Sequence, residues 1–179
     1  MSGERYGPPS STVVQIAFAV EDVESAVRSF HEATGAGPFL RHPHVEIARL
    51  DFYDGSRVVP ASMDHSIALG QWGEVMVELV RHHAITPAPA AAALTRRGRG
   101  LHHVARMADD LNFECDRLRE AGSTLLLRGS TGDVDFAFLE MATGGLLEVY
   151  QRDTPILHLY RRVREAARGW DGADLFMDR

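Results

Sequence analysis

Gln15 and His103 occupy matching places in two copies of one phrase set 88 residues apart, and both side chains can ligate a metal. At that constant offset Ala17 falls on Ala105, Asp22 on Asp110 and Val23 on Leu111. Each copy leads on to a later apolar run interrupted by a single glutamate: Met76-Val77-Glu78-Leu79-Val80 in the first, Leu146-Leu147-Glu148-Val149-Tyr150 in the second. An amide, an imidazole and two carboxylates, placed alike in a duplicated unit, point to one composite site built from both halves. Carboxylates and imidazole suit divalent cations, and a carboxylate can also accept a proton from carbon. Strand alternation leaves two arrangements open. Glu78 shares parity with Met76 and Val80, and Glu148 with Leu146 and Tyr150, so either the glutamates line a cavity or those apolar residues face outward. Burying such carboxylates without partners would be costly.

The elements that must position these groups are readable in outline. Residues 12–20 are β-branched and apolar, a strand. Asp22 can cap the helix after it, with Val23, Ala26, Val27 and Phe30 on its inner face and Gly35 as its stop. The second copy repeats this with Asp110, then Leu111, Cys115 and Leu118, then Gly122. Cys115 matches Val27 and reads as a small core residue. Three strands should follow each helix, over 37–50, 58–69 and 74–81 in the first copy and 124–127, 134–141 and 145–151 in the second. Tyr53-Asp54-Gly55-Ser56 and Thr143-Gly144-Gly145 supply turn chemistry. Each copy is therefore a β-α-β-β-β module and the fold class is α+β. The expected organisation is a loose tail over 1–11, a first module over 12–82, and a linker over 83–100 with a helical turn near 89–94. A second module over 101–151 and a C-terminal helix and tail over 152–179 complete it. Ile156, Leu159, Tyr160, Val163 and Ala167 form one stripe on that helix, which should pack on the domain or on a second subunit, with the last residues frayed.

Bulk properties narrow the partners. The chain has 179 residues, 45% of them hydrophobic and 25% charged, enough for a good core. A net charge of −6 argues against nucleic acid, and Arg96-Arg97-Gly98-Arg99 is too short to change that. No apolar stretch approaches the roughly 18 residues of a membrane span, and the first residues lack the pattern of a signal peptide. A lone cysteine fits a reducing compartment, so the expected location is cytoplasmic.

The phrases Gly100-Leu101-His102-His103-Val104-Ala105, Gly144-Gly145-Leu146-Leu147-Glu148, Thr34-Gly35-Ala36-Gly37-Pro38-Phe39 and Gln71-Trp72-Gly73 stand in order on the duplicated frame. In this the chain resembles the vicinal oxygen chelate superfamily, over residues 12–151. That superfamily includes glyoxalase I, methylmalonyl-CoA epimerase, extradiol dioxygenases and bleomycin-resistance proteins. The resemblance implies two half-barrels enclosing one divalent metal ion, Zn, Ni, Co, Mn or Mg, with Gln15, Glu78, His103 and Glu148 as its ligands. Of His102 and His103, the second aligns with Gln15. Such a metal would polarise a carbonyl and stabilise the enolate left when a neighbouring C–H loses its proton. Glu148, or else Glu78, would be the base. His65 could reach the pocket, as a substrate contact or as a partner that supports a metal ligand. His42, His44, His82 and His83 read as solvated or surface residues. Arg99 matches an arginine that helps bind glutathione in glyoxalase I, but Ala19 stands where a second arginine is usual. Trp72, with Phe52, Phe136 and Phe138, either lines an apolar substrate cavity or packs the core.

The implied function is a metal-dependent isomerase or lyase acting on a small carbonyl or acyl compound, epimerase-like first and glyoxalase-like second. The rival is a metal-free protein that binds or sequesters a small molecule. A ring-cleaving dioxygenase is less favoured, because non-haem iron sites use two histidines and one carboxylate. Relatives often pair, so a homodimer is expected, with the helix over 155–169 as its contact.

Overall fold

The duplicated phrase becomes a duplicated strand and helix in the computed structural model, which describes residues 12–45, 47 and 49–177. The first half runs β1 (Gln15–Ala19), α1 (Val23–Thr34), β2 (Phe39–His42), β3 (Arg49–Asp54), β4 (Arg57–Pro60), β5 (Ser62–Trp72) and β6 (Val75–Thr86). A short helix, α2 (Ala88–Thr95), leads to β7 (Gly100–Ala108), α3 (Leu111–Glu120), β8 (Thr124–Thr131), β9 (Val134–Glu140) and β10 (Leu146–Gln151). The chain closes with α4 (Thr154–Ala167) and a two-residue strand, β11 (Phe176–Met177). The caps are those the sequence supplies. Asp22 accepts the Ser25 N–H at 2.8 Å and Asp110 accepts the Phe113 N–H at 3.0 Å, each satisfying a donor the first turn leaves free. Gly35, at φ 71°, takes the left-handed turn that ends α1, a conformation other residues adopt at a steric cost.

All strands join one curved sheet in the order β11-β2-β5-β6-β1-β7-β10-β9-β8-β3-β4. β1 and β7 run antiparallel at its centre, each flanked by a parallel neighbour, β6 or β10. Two βαβββ modules thus meet along β1 and β7. Strand alternation then sorts the side chains. Val77 and Leu79 pack outward with Val27 beneath α1, and Leu147 and Val149 with Leu111 and Cys115 beneath α3. Glu78 and Glu148 share the opposite face with Met76, Val80 and Tyr150, and that face encloses a cavity.

Several boundaries differ from expectation for identifiable reasons. The strand expected over 37–50 ends at His42, before Pro43. The β3–β4 hairpin, turning at Gly55-Ser56, leaves its own module and pairs with β8 of the other. Gly129 makes this possible, since a Cβ there would sit 2.6 Å from the Arg49 carbonyl oxygen. With the hairpin as partner, β8 runs to Thr131 instead of stopping near Leu127. β6 continues to Thr86 against Ser62 of β5, so the region expected as linker holds a strand end and α2, the latter close to the anticipated helical turn. α4 lays Ile156 and Val163 on its own domain, against Val14, Met107, Leu69 and Met76. Beyond it the chain does not fray at once. Trp170 stacks edge-on to His31 at 5.2 Å, and Phe176 sits under Arg28 and Arg41 at 5.9 and 4.2 Å. The expected loose tail over 1–11 lies outside the described residues. No helix among those described is long and apolar enough to cross a membrane.

Candidate metal and substrate site

Four neighbouring strands, β6, β1, β7 and β10, carry Glu78, Gln15, His103 and Glu148 in that order across the sheet. The register places Ala17 level with both Glu78 and His103, and Ala105 level with both Gln15 and Glu148. The two alanines matched by the sequence repeat therefore stand at the crossing of the two modules, where each methyl leaves space between longer side chains. His103 Nε2 lies 3.0 Å from Glu148 Oε2 and 3.8 Å from Glu78 Oε2. Ligand atoms of these three residues all fall within 4.8 Å of one another. The Gln15 amide N–H donates to Glu78 Oε2, and its oxygen accepts from the Tyr160 hydroxyl at 2.6 Å.

All four residues are buried. Burial raises the Glu78 carboxyl above the ordinary carboxylate range, an effect the His103 ring opposes. Burial would lower His103, but the Glu148 carboxylate outweighs it, with Glu78 adding to the rise. Tyr150 and Tyr160, buried beside the same carboxylates, are raised and remain hydrogen-bond donors.

The donor set fits a divalent cation on the evidence of its own unmet bonds. His103 Nε2 and Glu148 Oε2 are buried with no hydrogen-bond partner, despite their short separation. Buried polar atoms of this kind are rare and call for an occupant. Two carboxylates balance a dication, the imidazole supplies a lone pair, and Gln15 can present its oxygen by turning its amide over, an orientation assigned by bonding pattern. No lysine or arginine lines the cavity among the described residues, which leaves the His103 ring as the basic side chain beside the carboxylates.

The cavity holds about 120 Å³. Most of its wall is apolar, with Leu69, Phe136, Phe138 and Leu159 among its lining, and Val45 and Ile47 also reach it. His65 lines it as well, its pKa pushed down to about 4 by burial. Arg99 and Trp72 are placed elsewhere. Arg99 pairs with Glu21 at 3.2 Å on the exposed surface, and Trp72 packs edge-on to Phe30 at 5.3 Å. Phe52 belongs to the core cluster with Leu50 and Leu127.

Tyr160, His102 and His82 are lining residues that the sequence did not mark for the site. Tyr160 comes from α4, where its place on the apolar stripe signalled packing alone. His102 is the extra residue of a bulge: the register steps from Ala17 opposite His103 to Phe18 opposite Leu101, and consecutive histidines both turn inward. A similar step lies opposite Asp64 and His65, where His83 is skipped, so His82 lines the cavity while His83 stays exposed and bonds Ser66 at 2.6 Å. His44 is exposed too, paired with Asp64 at 2.7 Å.

The chain belongs to the glyoxalase/bleomycin resistance protein/dioxygenase superfamily, whose pattern it matches over residues 14–138, and thus to the vicinal oxygen chelate proteins. Among solved structures it is similar to a hypothetical protein from Bacillus halodurans C-125, at 18% identity and a TM-score of 0.54, covering 80% of this chain and 95% of that one. It is also similar to methylmalonyl-CoA epimerase from Mycobacterium tuberculosis, at 20% identity and a TM-score of 0.52, covering 83% and 93% respectively. None of the curated proteins matches its sequence. At these identities the likeness is one of fold.

Proposed function

We propose that the chain is a metal-dependent isomerase or lyase that removes a proton beside a carbonyl, epimerase-like in its chemistry. The observation that carries this reading is the buried Glu78–His103–Glu148 cluster, with two ligand atoms that lack a hydrogen-bond partner, inside a mostly apolar cavity. Glu78, His103 and Glu148, with the Gln15 amide oxygen, would hold the ion. A bound divalent cation supplies Lewis-acid polarisation of the carbonyl, which acidifies the neighbouring C–H.

The rest is the work of the chain's own residues. Glu148 is the proton acceptor, the role the family resemblance gives it, with its Oε2 3.0 Å from His103 Nε2. Glu78, made more basic by burial, is the other acid–base group of the cluster. Tyr160 holds Gln15 in place, and the apolar wall excludes water from the carbanionic carbon. The cavity, at about 120 Å³, suits the reacting head of a small carbonyl or acyl compound. The lone Cys115 is buried in the core, which suits a cytoplasmic setting.

Elemental analysis of protein purified without chelator, combined with deuterium exchange into small α-branched acyl thioesters and hydroxyketones, tests the reading. One divalent ion per chain and exchange at the carbon next to the carbonyl are expected, with exchange falling at least about a hundredfold in Glu148→Gln. A protein that holds no metal and catalyses no exchange, yet binds apolar small molecules, is a sequestering protein instead.

A further inference from the structure

Beyond the carboxylate cluster, the cavity wall carries a second set of polar groups, a row of imidazoles. His103 Nδ1 faces His102 Nδ1 at 2.8 Å, and His102 Nε2 faces His82 Nε2 at 3.2 Å. His65 stands next, its ring 6.1 Å from that of His82. All four line the one cavity. At its end the row is unsatisfied, for the Nδ1 atoms of His82 and His65 are buried and have no partner, and His65 as a whole is only 9% exposed.

Proton counting gives the row a direction. A ring-to-ring hydrogen bond needs one proton between two nitrogens, and a neutral imidazole carries one. Three neutral rings joined by two such bonds therefore have two polarities. In one, the proton of His103 sits on Nε2 and each ring donates toward His103. In the other, it sits on Nδ1 and each ring donates away. Were His103 to hold a cation through Nε2, that lone pair would be taken and the second polarity selected. His103 would then donate to His102, the His102 proton would turn toward His82 in competition with the Leu94 carbonyl, and the proton of His82 would be left on Nδ1, the buried atom without a partner.

We propose that His82 and His65 form a second polar subsite, which takes a neutral oxygen of the substrate, a hydroxyl or carbonyl distinct from the reacting one. His102 is the positioning residue that orients the His82 donor from the metal-binding end. A neutral oxygen fits better than a carboxylate, because burial keeps both rings uncharged and, among the described residues, no arginine or lysine lines the cavity. The proposal deepens the reading above, and rests on it for the carbonyl chemistry at the other end of the cavity. It makes the substrate a small compound with two separate oxygen functions.

Nitrogen-resolved NMR of histidine-labelled, zinc-loaded protein tests it, with methyl propyl ketone and its terminal hydroxy derivative as probes. The expected spectrum shows His82 protonated at Nδ1 and shifted by the hydroxyketone alone. The hydroxyketone should bind about tenfold tighter than the ketone, with the preference lost in His82→Phe and largely kept in His82→Asn, whose amide restores a donor. Protonation of His82 at Nε2 with zinc bound, an undiminished preference in His82→Phe, or failure of both ketones to bind overturns the subsite. Should His82→Phe not fold, the tautomer in the unaltered protein decides. Zinc stoichiometry is read on the same sample. Protein that binds zinc but lacks both signatures refutes the subsite alone, while protein that binds none and still prefers the hydroxyketone refutes the proposed function alone.

Discussion

Ala17 and Ala105 are fully buried at the crossing of the two modules, and their smallness is what lets four longer side chains converge there. Ala17→Val adds two methyl groups level with Glu78 and His103. Overpacking of this kind costs about 1–3 kcal/mol, and the loss should fall on zinc affinity more than on folding, as calorimetric titration would show. His103→Ala should abolish metal binding in elemental analysis while circular dichroism stays native, and retained metal would remove His103 from the ligand set. Tyr160→Phe strips the hydroxyl from Gln15 Oε1 and should lower stability by about 1 kcal/mol in urea unfolding. The four central residues were legible because the repeat pairs Gln15 with His103 and each module carries one glutamate in an apolar run. Tyr160 was not, since its partner lies 145 positions away and no periodicity links the two.

The helices follow rules local to the chain, and their caps can be tested locally. Asp22→Ala and Asp110→Ala should each cost about 1 kcal/mol, with zinc stoichiometry unchanged, since neither carboxylate faces the cavity. The hairpin obeys a longer-range rule. Gly129→Val places a side chain against the Arg49 carbonyl and should detach β3–β4 from β8, seen as proteolysis within 49–60 under conditions that leave the native chain intact. This is also why strand boundaries between Pro43 and Pro60 defeated the sequence reading. Alternation and turn residues mark where a strand can exist, but its end is set by whether another strand offers hydrogen bonds, and for β3 that strand lies in the other module. The bulges at His102 and His83 escaped for the same reason, because a bulge is a property of two strands.

Acid stability joins the cavity to the molecule as a whole. Burial takes His65 and His82 from 6.5 down to about 4. Between those values the unfolded chain binds protons that these two rings refuse in the folded one, so their contribution to stability falls as pH falls through that window. Each ring contributes roughly 3 kcal/mol across the window. In chelator-treated protein Glu78 and His103, both raised in the folded chain, oppose this loss, so the test is comparative: between neutral pH and pH 4 the melting temperature of His65→Phe should fall less, relative to its neutral value, than that of the unaltered protein. An unaltered slope would mean that His65 titrates freely.

Periodicity, capping residues and an internal repeat are recorded in the order of residues along one chain. They sufficed for the α+β class, the two modules, the helix starts at Asp22 and Asp110, and the strands that carry Gln15, Glu78, His103 and Glu148. The exchange of the β3–β4 hairpin, the inward turn of His102, the closure of the cavity by Tyr160 and the outward placement of Arg99 and Trp72 depend on which distant segments become neighbours. Pairing between strands and packing across a curved sheet settle such neighbours, and both are set by hydrogen bonds and volumes shared between segments far apart in the chain.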